Sequence, residues 1–154
     1  MGKRRPRDIE TAELRAIYLW LRDNGYPEAD KRTLHGQRDE GDLTGIPGIM
    51  WEHKGGAQGR DASDQQIGKW MATEVSPQIG HARADYGFLS TPRRGIGPAN
   101  AHLWWTHWYL GDFMRLVGAG SVAQRSLPNR HAIIRLPIFH TVQLLRAAGY
   151  GEPL

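Results

Sequence analysis

The stretch from Gly41 to Lys54, Gly-Asp-Leu-Thr-Gly-Ile-Pro-Gly-Ile-Met-Trp-Glu-His-Lys, constrains this chain more than any other. Strand-like runs flank Pro47-Gly48. Pro presets φ at the first corner of a turn, and Gly supplies the positive φ that the second corner of a type II turn requires. The pattern predicts a β-hairpin. On its second arm a period of two puts Met50, Glu52 and Lys54 on one face and Ile49, Trp51 and His53 on the other. A carboxylate and an ammonium therefore project together from an apolar strand, at positions a structural strand would fill with hydrocarbon. That pairing marks a candidate metal site.

Asp42 joins them only if the turn allows it. A strict two-residue loop pairs Ile46 with Ile49 and sets Asp42 opposite His53, on the wrong face. One extra residue, as in a G1 bulge led by a left-handed Gly48, shifts the parity and brings Asp42 to the Glu52 and Lys54 face. That bulge, or an equivalent odd-length loop, is the expectation. With each charged type at about 6% of an average chain, an Asp…Glu-x-Lys triplet with a loose gap arises by chance in roughly one chain in three of this length. The surrounding context therefore has to carry the inference.

At 154 residues and 40% hydrophobic content the chain suits a single domain with a true core, residues 8–154, behind a basic arm at residues 1–7. Lys plus Arg exceed Asp plus Glu by 20 to 16, and the pI is near 9.7, which favours a polyanionic partner, nucleic acid first. The chain has no cysteine, which excludes disulfides and thiolate metal sites and makes an intracellular setting the default. No apolar run approaches the roughly 20 residues of a membrane span. The basic N-terminus has no apolar core behind it, and Pro6 stands where a myristoylation signal wants Ser or Thr. The expected location is the cytoplasm, or a host's cytoplasm if the protein is phage-encoded.

From Asp8 to about Asp23 the pattern is helical, with Leu14, Ile17, Tyr18 and Leu21 on one face and Asn24-Gly25 as the stop. On a helical wheel Glu10 falls near the centre of this face and Glu13 on its edge. Acids favour a first helical turn through the macrodipole, but either of these can also point into a metal or water network, and Glu10 has the better azimuth. Residues 26–38 read as a connection with one short extended piece, in which Lys31, Arg32, His35 and Arg38 cluster just upstream of the acids. Cations there suit a phosphodiester, whose oxygens can meet Lys, Arg and a metal together.

Gly55 to Gly59 reads as a flexible run. Ser63 and Gln66 then form a capping-box pattern, and Ile67, Trp70, Met71 and Val75 mark a buried helical face that Pro77 is expected to end. Tyr86 to Leu89 reads as a central strand running into a basic loop with Arg93 and Arg94. A second, aromatic strand is expected from Ala101 to Trp108; His102 and His107 would face opposite sides and cannot chelate one ion together. Trp104, Trp105, Trp108 and Tyr109 read as core or subunit interface, with base stacking as the alternative. Leu110, Phe113, Met114 and Val117 suggest a short helix closed by Gly118. Arg125 and Arg130 fall in a loop, Ala132 to Leu136 is strand-like, and Ile138, Val142 and Leu145 lie on a last helix capped by Gly149.

With these residues in view, the chain resembles the PD-(D/E)XK nuclease superfamily, and within it the phage and archaeal type of Holliday junction resolvase. The matching elements are an acid-bearing first helix, the basic piece with Lys31, Arg32 and His35-Gly36, the Gly41-Asp42 strand start, Pro47-Gly48 and Glu52-His53-Lys54. The ending Leu-Leu-Arg-Ala-Ala-Gly-Tyr-Gly-Glu-Pro-Leu also looks like the C-terminus of phage members. The family's first-helix glutamate falls near Leu14, which leaves both Glu10 and Glu13 as candidates, and residues 98–131 look like a family-variable insertion. The resemblance implies an α/β fold with a central mixed β-sheet flanked by helices, a restriction-endonuclease-like α-β-β-β-α-β core with an extra C-terminal strand and helix. It also implies a homodimer acting on branched or duplex DNA with Mg²⁺, for which Mn²⁺ would substitute. Asp42, Glu52 and the backbone carbonyl of His53 would hold the metal. Lys54 would sit near the attacking water, to orient or deprotonate it. Lys31, Arg32, His35, Arg38, Arg93 and Arg94 would meet DNA.

Overall fold

The computed structural model describes residues 5–33, 40–121 and 131–154. The expectations for the basic arm at residues 1–4, for His35 and Arg38 and for Arg125 and Arg130 lie outside the described residues.

Helix α1 spans Pro6–Arg22 and buries Leu14, Ile17 and Leu21, the i, i+3, i+7 stripe that its sequence carries. It ends where Asn24 Nδ2 donates to the Trp20 carbonyl and Gly25 turns the chain at φ 99°. Strands β1 (Asp30–Lys31) and β2 (Leu43–Thr44) form a small antiparallel pair. The main sheet holds β3 (Ile49–His53), β4 (Tyr86–Thr91), β5 (Trp105–Tyr109) and β6 (Ile133–Pro137) in that spatial order. It is mixed: β3 runs parallel to β4, while β4–β5 and β5–β6 are antiparallel.

The expected hairpin exists as a turn but not as a ladder. Ile49 N–H donates to the Ile46 carbonyl (3.1 Å) across Pro47-Gly48, with Gly48 at φ 82° as a type II turn requires. The two arms then part, because β2 pairs with β1 and β3 takes its ladder from β4. No bulged ladder forms at Gly48, and the parity problem that a bulge was to solve does not arise.

Parallel strands need a crossover, and here it is helical. It comprises α2 (Gly56–Arg60), α3 (Asp64–Trp70), a π-helical turn (Met71–Val75) and α4 (Ser76–Ala82). Two expectations are corrected in this segment. The glycine run is helical rather than flexible, because Gly59 packs its bare Cα against the Lys54 carbonyl; a Cβ there would sit 1.7 Å from that oxygen. Pro77 does not end the helix either. The π turn widens the spiral just before it, placing Pro77 in the first turn of α4 where a missing N–H costs nothing, and Ser76 Oγ donates to the Met71 carbonyl (3.1 Å). Ser63 caps α3 as expected, accepting from Gln66 N–H at 3.1 Å.

β5 begins at Trp105, not Ala101, because Pro98–Leu103 winds into a 3₁₀ turn. His102 is therefore off the sheet, stacked on Trp20 of α1 at 5.8 Å. The stretch 98–131 thus supplies a strand in the interior of the sheet. Helix α5 (Leu110–Leu116) buries Leu116, while Val117 lies past its last turn and is 46% exposed, against the expectation that it would pack inward. Helix α6 (Ile138–Ala147) buries Ile138, Val142 and Leu145.

The sheet is thus an α/β sandwich filling. On one face Trp51 meets Phe88 edge to face at 4.6 Å and Phe88 stacks on Trp108 at 4.8 Å, beneath α1 and α6. On the other, Met50 and Leu89 pack against Ile67, Trp70, Met71 and Val75 of the crossover. Trp104 and Trp108 are core, as expected, and Trp105 and Tyr109 are half-buried. Among the described residues no helix is long and apolar enough to cross a membrane.

Gly59→Ala tests the crossover. Forcing a methyl group into the Lys54 carbonyl should cost about 2–3 kcal/mol, read as a shift of the urea midpoint without change of slope.

Candidate functional site

β3 is buried at all five positions, yet it carries Glu52 and His53 and hands on to Lys54. Asp42 reaches this strand from the parted arm of the turn. Its backbone N–H donates to the Trp51 carbonyl (2.8 Å), and its Oδ2 accepts from the His53 backbone N–H (2.7 Å). This bridge brings the Asp42 carboxyl near enough to that of Glu52 for the two side chains to interact. Burial pushes the Asp42 carboxyl above the usual carboxylate range, and the negative charge of Glu10 adds to the rise. The His53 N–H and the Glu52 contact act in the opposite direction without cancelling it.

Lys54 is held over the pair. Its Nζ lies 2.7 Å from Glu74 Oε1, 3.8 Å from Glu52 Oε1 and 5.6 Å from the centroid of the Trp70 ring. Burial alone would lower its pKa, but the hydrogen bond to Glu74 and the charges of Glu52, Glu74 and Asp42 outweigh this and raise it. The ammonium is therefore fixed in its charged form at neutral pH. Glu74 sits in the π turn, and sequence reasoning missed it. The signal was present: Glu74 lies four residues after Trp70 and three after Met71, an acid on an otherwise apolar stripe.

The two α1 glutamates divide the roles expected of one. Glu10, placed nearest the centre of the apolar face on a wheel, is exposed, and Glu13 is buried at 7% exposure. The first turns of α1 face the junction of β3 and α2 rather than the middle of the sheet, and there Glu13 meets partners. It accepts from Gly56 N–H (3.1 Å to each oxygen) and pairs with His53 Nε2 (2.8 Å). A carboxylate only accepts, so Nε2 donates, and Nδ1 meets Ser90 Oγ (2.7 Å), which in turn accepts from Trp51 Nε1 (2.8 Å). The His53 ring is consumed by this buried chain and by stacking on Trp104 at 5.9 Å. Only its carbonyl is left for the role that the resemblance assigns. Glu10 acts on Asp42 by charge from the open side.

The expected basic residues fall in two places. Lys31 is exposed on β1, and Arg32 donates its backbone N–H to the Asp42 carbonyl (2.8 Å) while its guanidinium pairs with Glu40 (3.1 Å). Arg93 and Arg94 follow β4, Arg93 over the Trp105 ring and Arg94 paired with Asp61. His107 lies on β5, away from His102, and shares a hydrogen bond with Thr91 (2.9 Å); burial first and the charge of Arg135 second push its pKa down to about 4.

Among the described residues no group of three or more His, Asp or Glu side chains is arranged to hold a metal ion. The donor set that is present, two carboxylates with a backbone carbonyl beside them, nevertheless fits a hard cation such as Mg²⁺, which keeps several waters and takes few protein ligands. The Asp42 carboxyl is raised chiefly by burial, with the Glu10 charge adding to it, and a bound cation would favour its ionised form. No protein-family model, curated protein or solved structure matches the chain.

Asp42 gives a pH prediction whose sign follows from linkage. A carboxyl raised by folding contributes stability that is present below the ordinary carboxylate range and is lost as pH rises through its folded value. Asp42→Asn, which keeps the acceptor for His53 N–H, should therefore melt above the native protein at pH 7 in EDTA by about 2–4 °C. The gain should shrink as pH falls through the raised folded value and vanish below the ordinary carboxylate range, and millimolar Mg²⁺ should narrow it by stabilising the native protein alone.

Proposed function

We propose that the protein is a divalent-metal-dependent endodeoxyribonuclease that hydrolyses phosphodiester bonds in branched DNA, in the manner of a Holliday junction resolvase. The observation that carries this reading is the buried Glu52 carboxyl 3.8 Å from a charged Lys54, with Asp42 anchored beside it on the His53 backbone N–H. Asp42, Glu52 and the His53 carbonyl would hold Mg²⁺ or Mn²⁺, which when bound lowers the pKa of a water and neutralises charge on the phosphoryl group.

The chain's own groups supply the rest. Lys54, held protonated by Glu74, can donate to the attacking water or to a non-bridging phosphate oxygen, which fits orientation and charge stabilisation rather than proton abstraction. The Glu13–His53–Ser90 chain fixes the backbone of the residue between Glu52 and Lys54, so both side chains are aimed from a rigid strand. Lys31 and Arg32 lie beside Asp42 where the flanking phosphates of a bound strand would run. A homodimer would present two such sites for paired nicks across a branch point.

One observation favours a second reading, a DNA-binding protein that does not cut: the described residues hold no three-acid cluster. Cleavage assays separate the two. Labelled four-way junctions incubated with Mg²⁺ or Mn²⁺ should be nicked, faster than flaps or linear duplex. Lys54→Ala should lower the rate by roughly 10²–10³-fold while junction binding persists. Equal rates on all three substrates would remove junction selectivity, and intact junctions with both metals would leave only the binding reading. The role of Glu74 is tested by the pH–rate profile: Glu74→Gln removes the group that raises the Lys54 pKa, so the alkaline fall in activity should begin at lower pH.

A further inference from the structure

The strand register puts Glu52, Leu89, His107 and Arg135 in one row across the sheet, with Thr91 and Trp105 two rows on and so on the same face. Beyond the start of α3, this same face opens into a cavity of about 750 Å³ lined by Arg60, Arg93, Arg94 and Arg135, with Trp105 among its walls. Nothing in the chemistry above uses it.

Arg93 comes from the end of β4 and Arg135 from β6, the two neighbours of β5. Their guanidinium carbons lie 4.2 and 4.5 Å from the centroid of the Trp105 ring. Neither has a carboxylate within ion-pair distance among the described residues, whereas Arg60 and Arg94 share Asp61. A guanidinium laid on an indole face is held in orientation while its in-plane N–H fork stays free, a geometry suited to the paired oxygens of a phosphate. A second cavity, of about 480 Å³, shares Arg60 and Arg93 with the first and continues past Gly95 and Gly97 to Gly56 and Glu13. The two together make a bent track with arginines at its junction.

We propose that this track binds the phosphodiester backbone of a nucleic-acid strand at a site separate from the Asp42–Glu52 pair. Three features select a polymer over a mononucleotide. The cations come from three separate elements, the two cavities share Arg60 and Arg93 in their walls, and the Trp105 ring of the larger one is taken up by guanidiniums rather than offered to a base. The inference rests on the nucleic-acid part of the reading above and not on cleavage.

Fluorescence anisotropy of labelled single-stranded and four-way-junction DNA, in EDTA and over a range of salt, tests it on the full chain. Arg93→Gln/Arg135→Gln should weaken binding about tenfold and reduce the slope of log K against log salt by about 2. Millimolar inorganic phosphate or a mononucleotide should not displace the DNA. Unchanged affinity and slope would overturn the proposal, and full displacement by phosphate or mononucleotide would reassign the track to a small anion. Circular dichroism checks folding; if the double variant is unfolded, the exposed pair Arg60→Gln/Arg94→Gln reads the same slope. A native protein with no DNA affinity sinks both this site and the nuclease. One that binds through these arginines yet cuts nothing keeps this site and removes the nuclease.

Discussion

The hydrogen bond from the His53 backbone N–H to the Asp42 carboxylate is the interaction on which the site depends. It ties the first arm of a turn to the last residue of β3 after the two have ceased to be a ladder. Its consequence is electrostatic. Two carboxyls that would stay apart in water are brought near each other, and burial keeps the Asp42 carboxyl above its usual range despite the bond that favours its ionised form. Burying Asp42 costs stability, as expected of a group placed for a ligand rather than for the core.

The crossover between the parallel strands β3 and β4 serves that same pocket. Gly59 lets α2 turn back against the Lys54 carbonyl, and the π turn presents Glu74 to the Lys54 ammonium at 2.7 Å. A regular α-helix through this segment would carry the later residues round by a different angle, so the irregularity and the ion pair belong together. On the opposite side of β3, Glu13, His53, Ser90 and Trp51 form a buried polar chain in which each group has a partner, and α1 is thereby fastened to the strand it covers.

Much of this was legible in the chain. The apolar stripe of α1, the Ser63 cap, the central strand at Tyr86 and the last strand and helix all follow local periodicity and capping chemistry, and they stand within a residue or two of where periodicity puts them. What escaped was set by tertiary partners. The Gly41–Lys54 stretch has hairpin chemistry, but β3 pairs with a strand more than thirty residues later, which no local pattern reveals. Glu10 and Glu13 were ranked by azimuth alone, yet burial depended on what lay beneath each turn of the helix. Pro77 was read as a stop because the widened turn that accommodates it has no simple sequence mark. Glu74 was legible in principle, as an acid on a buried stripe, and Arg60 and Arg135 were not, since only the sheet order brings them together.

The central claim is that the Asp42–Glu52 pair is a cation site, and calorimetric titration of the protein with Mn²⁺ at pH 7 tests it most directly. The account predicts one ion per chain and loss of the binding heat in Asp42→Asn. Binding that is absent, or that survives Asp42→Asn with the same stoichiometry and affinity, would contradict it.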